Sequence, residues 1–239
     1  NAFVTFSNAI NGFKFIPNEV GTATFNIQAS TGNTVNGLGG SKIQASITVD
    51  KKTLTATANN KSRKYGAANP AFTITYTGFV FGETPTVLNT PPIASTGAVP
   101  ISNVASYTIS LSEGSDDHYE IVENDGILTV SKATVTATAN NKTKKYREPN
   151  PAFTITYSGF VNAESASALD VAPIATSAAT TNSNAGNYPI TLSTGTDGNY
   201  EVLLVNGTLN ITQRMLSATA DNKTKVYGQN NPSLTISYS

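Results

Sequence analysis

The chain repeats itself with a fixed period of 81 residues. Leu54-Thr55-Ala56-Thr57-Ala58-Asn59-Asn60-Lys61 returns as Val135 to Lys142, and again as Leu216 to Lys223. Tyr65, Tyr146 and Tyr227 stand 81 apart, as do Tyr76, Tyr157 and Tyr238. A period of this length marks a tandem array in which each copy is one folding unit. It divides the chain into a first repeat at 52–132, a second at 133–213 and the start of a third at 214–239. Residues 1–51 do not match and read as the C-terminal part of a different small β domain. A site for chemistry is normally built once, whereas a spacer is built by copying, so repetition itself points to a structural role.

Within one repeat, alternation with period two dominates, which is the signature of half-buried strands. Leu54, Ala56 and Ala58 share one face and Thr53, Thr55 and Thr57 the other. Asn59-Asn60-Lys61 reads as a turn or loop, because Asn tolerates left-handed backbone angles and bonds locally. Asn69-Pro70 excludes helix and restarts an extended run from Ala71 to Val80, with Phe72, Ile74 and Tyr76 inward. Glu83 to Leu88, and Glu164 to Leu169 in the second copy, have room for one helical turn. Tyr107–Ser112 is a strand, and Tyr119–Glu123 with Ile127–Lys132 reads as a hairpin across Asn124-Asp125-Gly126. Each repeat is thus expected to be a small, mainly antiparallel β domain of about six strands with at most one short helix. Sandwich and β-grasp topologies both remain open. Only three or four residues separate the last strand of one copy from the first of the next, with no Gly or Pro run to act as a flexible tether. This predicts stiff head-to-tail stacking.

Fifteen basic and fifteen acidic residues leave no net charge. Neither a nucleic-acid surface nor a polybasic membrane patch follows from that balance. No apolar run approaches the roughly 20 residues a spanning helix needs, so no membrane insertion is expected in this segment. Cysteine is absent, which removes disulfides and thiolate metal sites. Residue 1 is Asn, and the chain opens in the strand-like Ala2-Phe3-Val4-Thr5-Phe6. We therefore expect a fragment of a longer protein.

Several motifs recur in order at constant spacing: Lys64-Tyr65-Gly66, Asn69-Pro70, Phe72 to Val80, Tyr107-Thr108-Ile109 and Gly126 to Val130. The second copy has Lys145-Tyr146, Asn150-Pro151, Phe153 to Val161, Tyr188-Pro189-Ile190 and Gly207 to Ile211. This series resembles the MBG family of tandem repeat domains, over residues 52–239. Residues 21–49 resemble the end of a bacterial Ig-like domain. The resemblance implies secretion or display on a bacterial surface, often in adhesin-like proteins, and it brings no catalytic residues. The family Gly at position 66 is Arg147 in the second copy. Since Arg is strained at positive φ, the position is expected not to need it.

His118 is the sole histidine and lies in Ser115-Asp116-Asp117-His118-Tyr119-Glu120. Asp116 and Asp117 are the weak calcium candidates, with oxygen ligands of the right type. The second copy reads Thr196-Asp197-Gly198-Asn199-Tyr200-Glu201, without the imidazole, which favours a solvated loop and no cofactor. The repeated acids Glu83/Glu164 and Glu120/Glu201 suit structure better than a glycosidase cleft. The short outward Thr rows read as solvated strand faces. The resulting expectation is a non-enzymatic stalk segment of a bacterial surface adhesin or extracellular filament protein. It would hold a distal binding domain away from the cell, with neighbouring repeats, or identical chains in a filament, as partners. The alternative is a carbohydrate-binding or other ligand-binding module, which exposed aromatics would favour, with Tyr119 and Tyr200 as its candidates.

Overall fold

A computed structural model of the chain describes residues 20–27, 41 and 43–239. The strand-like opening at Ala2 to Phe6 lies outside the described residues. The chain divides into two compact units. Unit 1 takes the described residues up to Arg63, then Asn69–Val99 and Ala105–Thr129. Unit 2 is Lys64–Ala68, Pro100–Val104 and Val130–Ser239.

In unit 1, β1 (Gly21–Ile27) and β2 (Ile43–Val49) pair antiparallel, Gly21 opposite Val49. The first repeat follows with β3 (Lys52–Ala58), β4 (Lys61–Lys64), β5 (Ile74–Thr77), β6 (Ala94–Ser95), β7 (Ala105–Leu111), β8 (Tyr119–Asn124) and β9 (Gly126–Ser131). These form a three-stranded sheet, β5-β3-β8, and a four-stranded sheet, β4-β9-β7-β6. The second repeat copies this with β10 (Ala133–Ala139), β11 (Lys142–Lys145), β12 (Ile155–Ser158), β13 (Ala175–Thr176), β14 (Gly186–Leu192), β15 (Tyr200–Val205) and β16 (Gly207–Thr212). Its sheets are β12-β10-β15 and β11-β16-β14-β13. Finally β17 (Ala218–Ala220) pairs with β18 (Ile236–Tyr238), Ala218 opposite Tyr238, the register that Ala56 and Tyr76 keep in β3 and β5. The protein is mainly β, as expected, and each complete repeat has seven strands rather than six.

The two sheets of a repeat share one core. In the first, Ala58 of β3 meets Ile109 of β7 and Leu128 of β9, with Phe72 and Tyr107 packed around them. In the second, Ala139, Ile190, Leu209 and Ile211 do the same. Ile109, Leu128, Ile190 and Leu209 are wholly buried, each worth about 1.5–3 kcal/mol relative to exposure. A smaller cluster of Leu54, Leu88 and Tyr119 lies against Tyr76, Phe79 and Val80. The expected helical turn is a single 3-10 turn at Pro85–Val87, and at Ala166–Ala168 in the second repeat. It supplies Leu88 or Leu169 to the core.

Two local expectations are corrected. The run from Ala71 to Val80 is a strand only at Ile74–Thr77. The closing hairpin is not a hairpin: β8 pairs parallel with β3, Lys52 opposite Tyr119, while β9 belongs to the other sheet. Asn124-Asp125-Gly126 is therefore a corner where the chain changes sheets. The cause is close approach. A Cβ on Gly126 would lie 2.5 Å from the Ala58 carbonyl oxygen, and on Gly207 2.4 Å from that of Ala139. The corner passes beneath the end of the first strand, so the two segments cannot fold back on each other. Pairing is consequently mixed; in unit 2, β10–β15 and β11–β16 run parallel and the other pairs antiparallel.

The Asn pair, expected as a turn or loop, lies between two strands and also clips neighbouring strands together. Asn59 Nδ2 donates to Thr73 Oγ1 at 2.8 Å, and Thr75 Oγ1 donates to Asn59 Oδ1 at 2.8 Å. Asn60 Oδ1 accepts the Ile127 N–H at 2.8 Å, at the start of β9. Asn140 and Asn141 repeat these bonds on Thr154, Thr156 and Thr208.

Candidate functional site

The densest polar cluster in unit 2 is built on Tyr200. Its position is set by Asp197, which precedes β15 and accepts the N–H groups of Asn199 and Tyr200 on Oδ1, both at 2.7 Å. This Asx-type turn turns the Tyr200 ring inward. The ring is 2 % exposed and meets Phe160 edge-on with centroids 5.3 Å apart. A buried phenol needs partners. Tyr200 Oη donates to Glu164 Oε2 at 2.6 Å and accepts the Val161 N–H at 3.1 Å. Glu164 uses its second oxygen as well: Oε1 accepts Tyr65 Oη at 2.7 Å. The Tyr65 and Tyr200 rings meet edge-on at 5.5 Å and 83°. One carboxylate thus bridges two phenols in a largely buried setting.

Burial first, then the Glu164 hydrogen bond, pushes the Tyr200 phenol up to about 12. The Tyr65 phenol is raised chiefly by its bond to Glu164 and then by burial. Both rings therefore stay neutral donors across physiological pH. Nothing in this trio is poised as a nucleophile or base, since both carboxylate oxygens are engaged and both phenols are protonated.

Tyr65 arrives on the segment Lys64–Ala68, which belongs to unit 2 together with Pro100–Val104. Gly66 N–H donates to the Pro100 carbonyl at 3.1 Å, and Val104 N–H to Asn199 Oδ1 at 3.0 Å. Asn199 Nδ2 donates to Asn103 Oδ1 at 3.1 Å. Lys132 Nζ donates to the Asp197 carbonyl at 2.7 Å. Gly66 has φ +81°, and an added Cβ would fall 2.3 Å from Val161 Cγ2. The expectation that this position does not need positive φ is wrong. Arg147 sits at φ 72° and Gly228 at φ 85°. Arg147 is held there by Asn182 Oδ1, 2.8 Å from Nη1, and by the Tyr146 ring, whose centroid is 5.2 Å from Cζ.

Unit 1 has the same acceptor pair. Tyr119, 3 % exposed, donates its phenol to Glu83 Oε2 and accepts the Val80 N–H at 3.1 Å, with Phe79 edge-on at 5.4 Å. The Tyr119 phenol is raised, mainly by burial. Tyr119 and Tyr200, singled out from the sequence as aromatics for a ligand face, are core residues.

The Asp116–His118 stretch is a bend with Asp117 and His118 exposed, but Asp116 turns inward. Asp116 is 6 % exposed, and its Oδ1 accepts the N–H groups of His118 at 2.8 Å and Tyr119 at 3.0 Å. Oδ2 accepts Asn89 N–H at 3.1 Å. Burial would raise this carboxyl, but those three donors outweigh it and hold it below the usual carboxylate range. Asp117 is exposed, and its N–H is bonded to Asn89 Oδ1. His118 Nδ1 lies 4.0 Å from Asp116 Oδ1. Among the described residues no group of three or more His, Cys, Asp or Glu is gathered around a point that would hold a metal. Glu120 and Glu201 are exposed on β8 and β15 and do not join the tyrosine clusters. A depression of about 270 Å³ lies beside Tyr146, Asn184, Ala185, Gln213 and Arg214.

Sequence reasoning found Tyr65, Glu83, Glu164 and Tyr200 as recurring residues without joining them. The available signal was their shared period, since a glutamate and two tyrosines that recur together are a unit of packing.

Fold and cluster together define a tandem two-sheet β repeat protein whose polar machinery is structural. The family profile for the MBG domain (YGX type) matches residues 54–129 and 134–210. The chain belongs to the MBG family, whose repeats are typical of bacterial surface proteins and are not known as enzymes. No curated protein matches it. Among the described residues no helix is long and apolar enough to cross a membrane.

Proposed function

We propose that the chain is a non-enzymatic spacer segment of an extracellular bacterial surface adhesin or filament protein. Its copied domains give reach to a distal binding domain, and its immediate partners are neighbouring repeats of the same long chain. The observation that carries this reading is the connection between copies. A single residue, Lys132, separates β9 from β10, and its ammonium is tied to the Asp197 carbonyl. One tethered residue leaves little of the freedom a flexible linker would have. Domain boundaries at 51/52, 132/133 and 213/214 go with this reading.

Small-angle scattering on the 239-residue chain tests it. The expected result is a pair-distance distribution with a long tail; a symmetric, compact distribution contradicts the spacer. The carbohydrate-binding alternative loses its two candidate aromatics to the core, and binding on a glycan array is the result that would restore it.

A further inference from the structure

The outer strand of the three-stranded sheet differs in chemistry between the two repeats. In the first, β8 reads Tyr119-Glu120-Ile121-Val122-Glu123-Asn124; in the second, β15 reads Tyr200-Glu201-Val202-Leu203-Leu204-Val205. Both are edge strands, paired on one side only, with β3 or β10. Charge commonly protects such an edge from further pairing. Glu123 supplies it in β8, where its carboxylate also accepts the Gly114 N–H at 2.8 Å. Leu204 stands in its place in β15. That strand ends in three apolar residues, Leu203 47 %, Leu204 39 % and Val205 45 % exposed. Val122, the counterpart of Leu203 in a repeat with a complete copy after it, is 44 % exposed as well. The position is thus open in both repeats, and only β15 lacks the guard.

The register of β15 on β10 fixes which of its groups face outward. Ala133 N–H donates to the Asn199 carbonyl at 3.0 Å, and Ala133 stands opposite Tyr200. In a parallel ladder, alternate residues turn their backbone groups to the same neighbour. Glu201, Leu203 and Val205 therefore bond β10. The N–H and C=O groups of Val202 and Leu204 point away from it, without a partner among the described residues.

This edge is complementary to itself. Placed antiparallel about a two-fold axis at Leu203, Val202 of one strand faces Leu204 of the other. Each of the two Val202–Leu204 pairs exchanges two hydrogen bonds, so every open group on both strands is satisfied. Leu203 meets its own copy on the axis, at the position where side chains come closest. Glu201 faces Val205, which sets the two Glu201 carboxylates four residues apart along the strands, about 13 Å. That exceeds the Debye length of about 8 Å at physiological salt. In β8 the same arrangement would bring two Glu123 carboxylates onto one diagonal, roughly 7–8 Å apart, and repulsion opposes it.

We propose that β15 is an interaction surface for a second copy of this chain, the two β15 strands pairing antiparallel about Leu203. The two three-stranded sheets then join into one of six strands. The contact is isologous and closes at a dimer. A compact monomer would form it as readily as a long one, so it stands apart from the spacer reading. One strand edge buries less than the roughly 1,200 Å² of a standard interface, so the dimer is weak and the test extends to about 1 mM chain.

Sedimentation equilibrium of the full chain should show a mass that rises from 24.9 kDa towards twice that value and no further. Leu204→Glu gives β15 the guard of the first repeat, and Leu203→Lys sets like charges face to face on the axis. Each should weaken association at least about tenfold. Leu203→Glu should act likewise. An equimolar mixture of the Leu203→Lys and Leu203→Glu chains should recover it, because the facing charges are then opposite. The mixture also separates lost pairing from lost folding, since misfolded chains would not recover. A chain monomeric up to about 1 mM overturns the proposal and leaves the edge to a strand of a different protein or to none. Association that grows past the dimer, keeps wild-type strength in any single variant, or stays lost in the mixture overturns it equally.

Discussion

Position 63 is Arg in the first repeat and its copy, 144, is Lys, and the exchange leaves a trace. Arg63 Nε donates to Asn69 Oδ1 at 2.7 Å, while Nη2 reaches the Val99 carbonyl. Lys144, 4 % exposed, bonds to the carbonyls of Glu148 and Thr180. Asn150 Oδ1, the counterpart of Asn69 Oδ1, is left buried without a hydrogen-bond partner among the described residues. A point charge on a flexible stem does not replace a planar fork. Lys144→Arg should therefore stabilise the second repeat by about 1 kcal/mol, measured by urea denaturation as a higher midpoint at unchanged slope. At Arg147 the left-handed backbone sets the expectation. Arg147→Gly and Arg147→Ala both lose the contacts to Asn182 and Tyr146, so their difference isolates the backbone. The Gly variant should be the more stable by about 1–2 kcal/mol in the same assay, and equal midpoints would refute the strain.

At the scale of elements, the sheet-changing corner is the feature most sensitive to a single atom. It lets β15 join the three-stranded sheet while β16 completes the other. A methyl on Gly207 must displace the Ala139 carbonyl, 2.4 Å away, and the Ala139 methyl, 3.3 Å away. These are backbone and core atoms, and neither yields cheaply. Gly207→Ala should cost more than about 2 kcal/mol, well above the usual effect of a point change. Thermal unfolding followed by circular dichroism checks this, and a loss under 0.5 kcal/mol would mean the corner relaxes freely. The Asn-Asn clip belongs to the same scale. Asn141 Oδ1 bonds the Thr208 N–H at 2.7 Å, so the corner is held from both sides.

At the scale of the whole molecule, the buried phenols couple folding to alkaline pH. Tyr200 is pushed up to about 12 in the folded chain, against about 10 for an exposed tyrosine. Its folded-state pKa is the higher one, so the folded state keeps its proton longer. The associated stability is fully present below pH 10 and is lost as pH rises from 10 towards 12. The loss amounts to about 2–3 kcal/mol. Denaturant midpoints taken from pH 8 to 12 should fall through that window, and Tyr200→Phe should flatten the fall while lowering stability at pH 8. A Tyr200→Phe chain with an unchanged alkaline slope would show that this phenol is not the group responsible.

The sequence alone determined the 81-residue period and its tandem arrangement, the strand periodicity of β3 and β10, and the inward placement of Leu54, Ala56 and Ala58. It also pointed to the family. Each of these is a local or a repeated property, written in the order of residues. Which strand pairs with which was decided only by the tertiary structure. Asn124-Asp125-Gly126 has the composition of a hairpin turn, and only the approach of Ala58 from 68 residues earlier in the chain makes it a change of sheet. The same holds for Tyr65 and Glu164, 99 residues apart. Periodicity reports which face of a strand is buried, but hydrogen-bond partners distant in sequence are chosen by packing, which no single segment encodes.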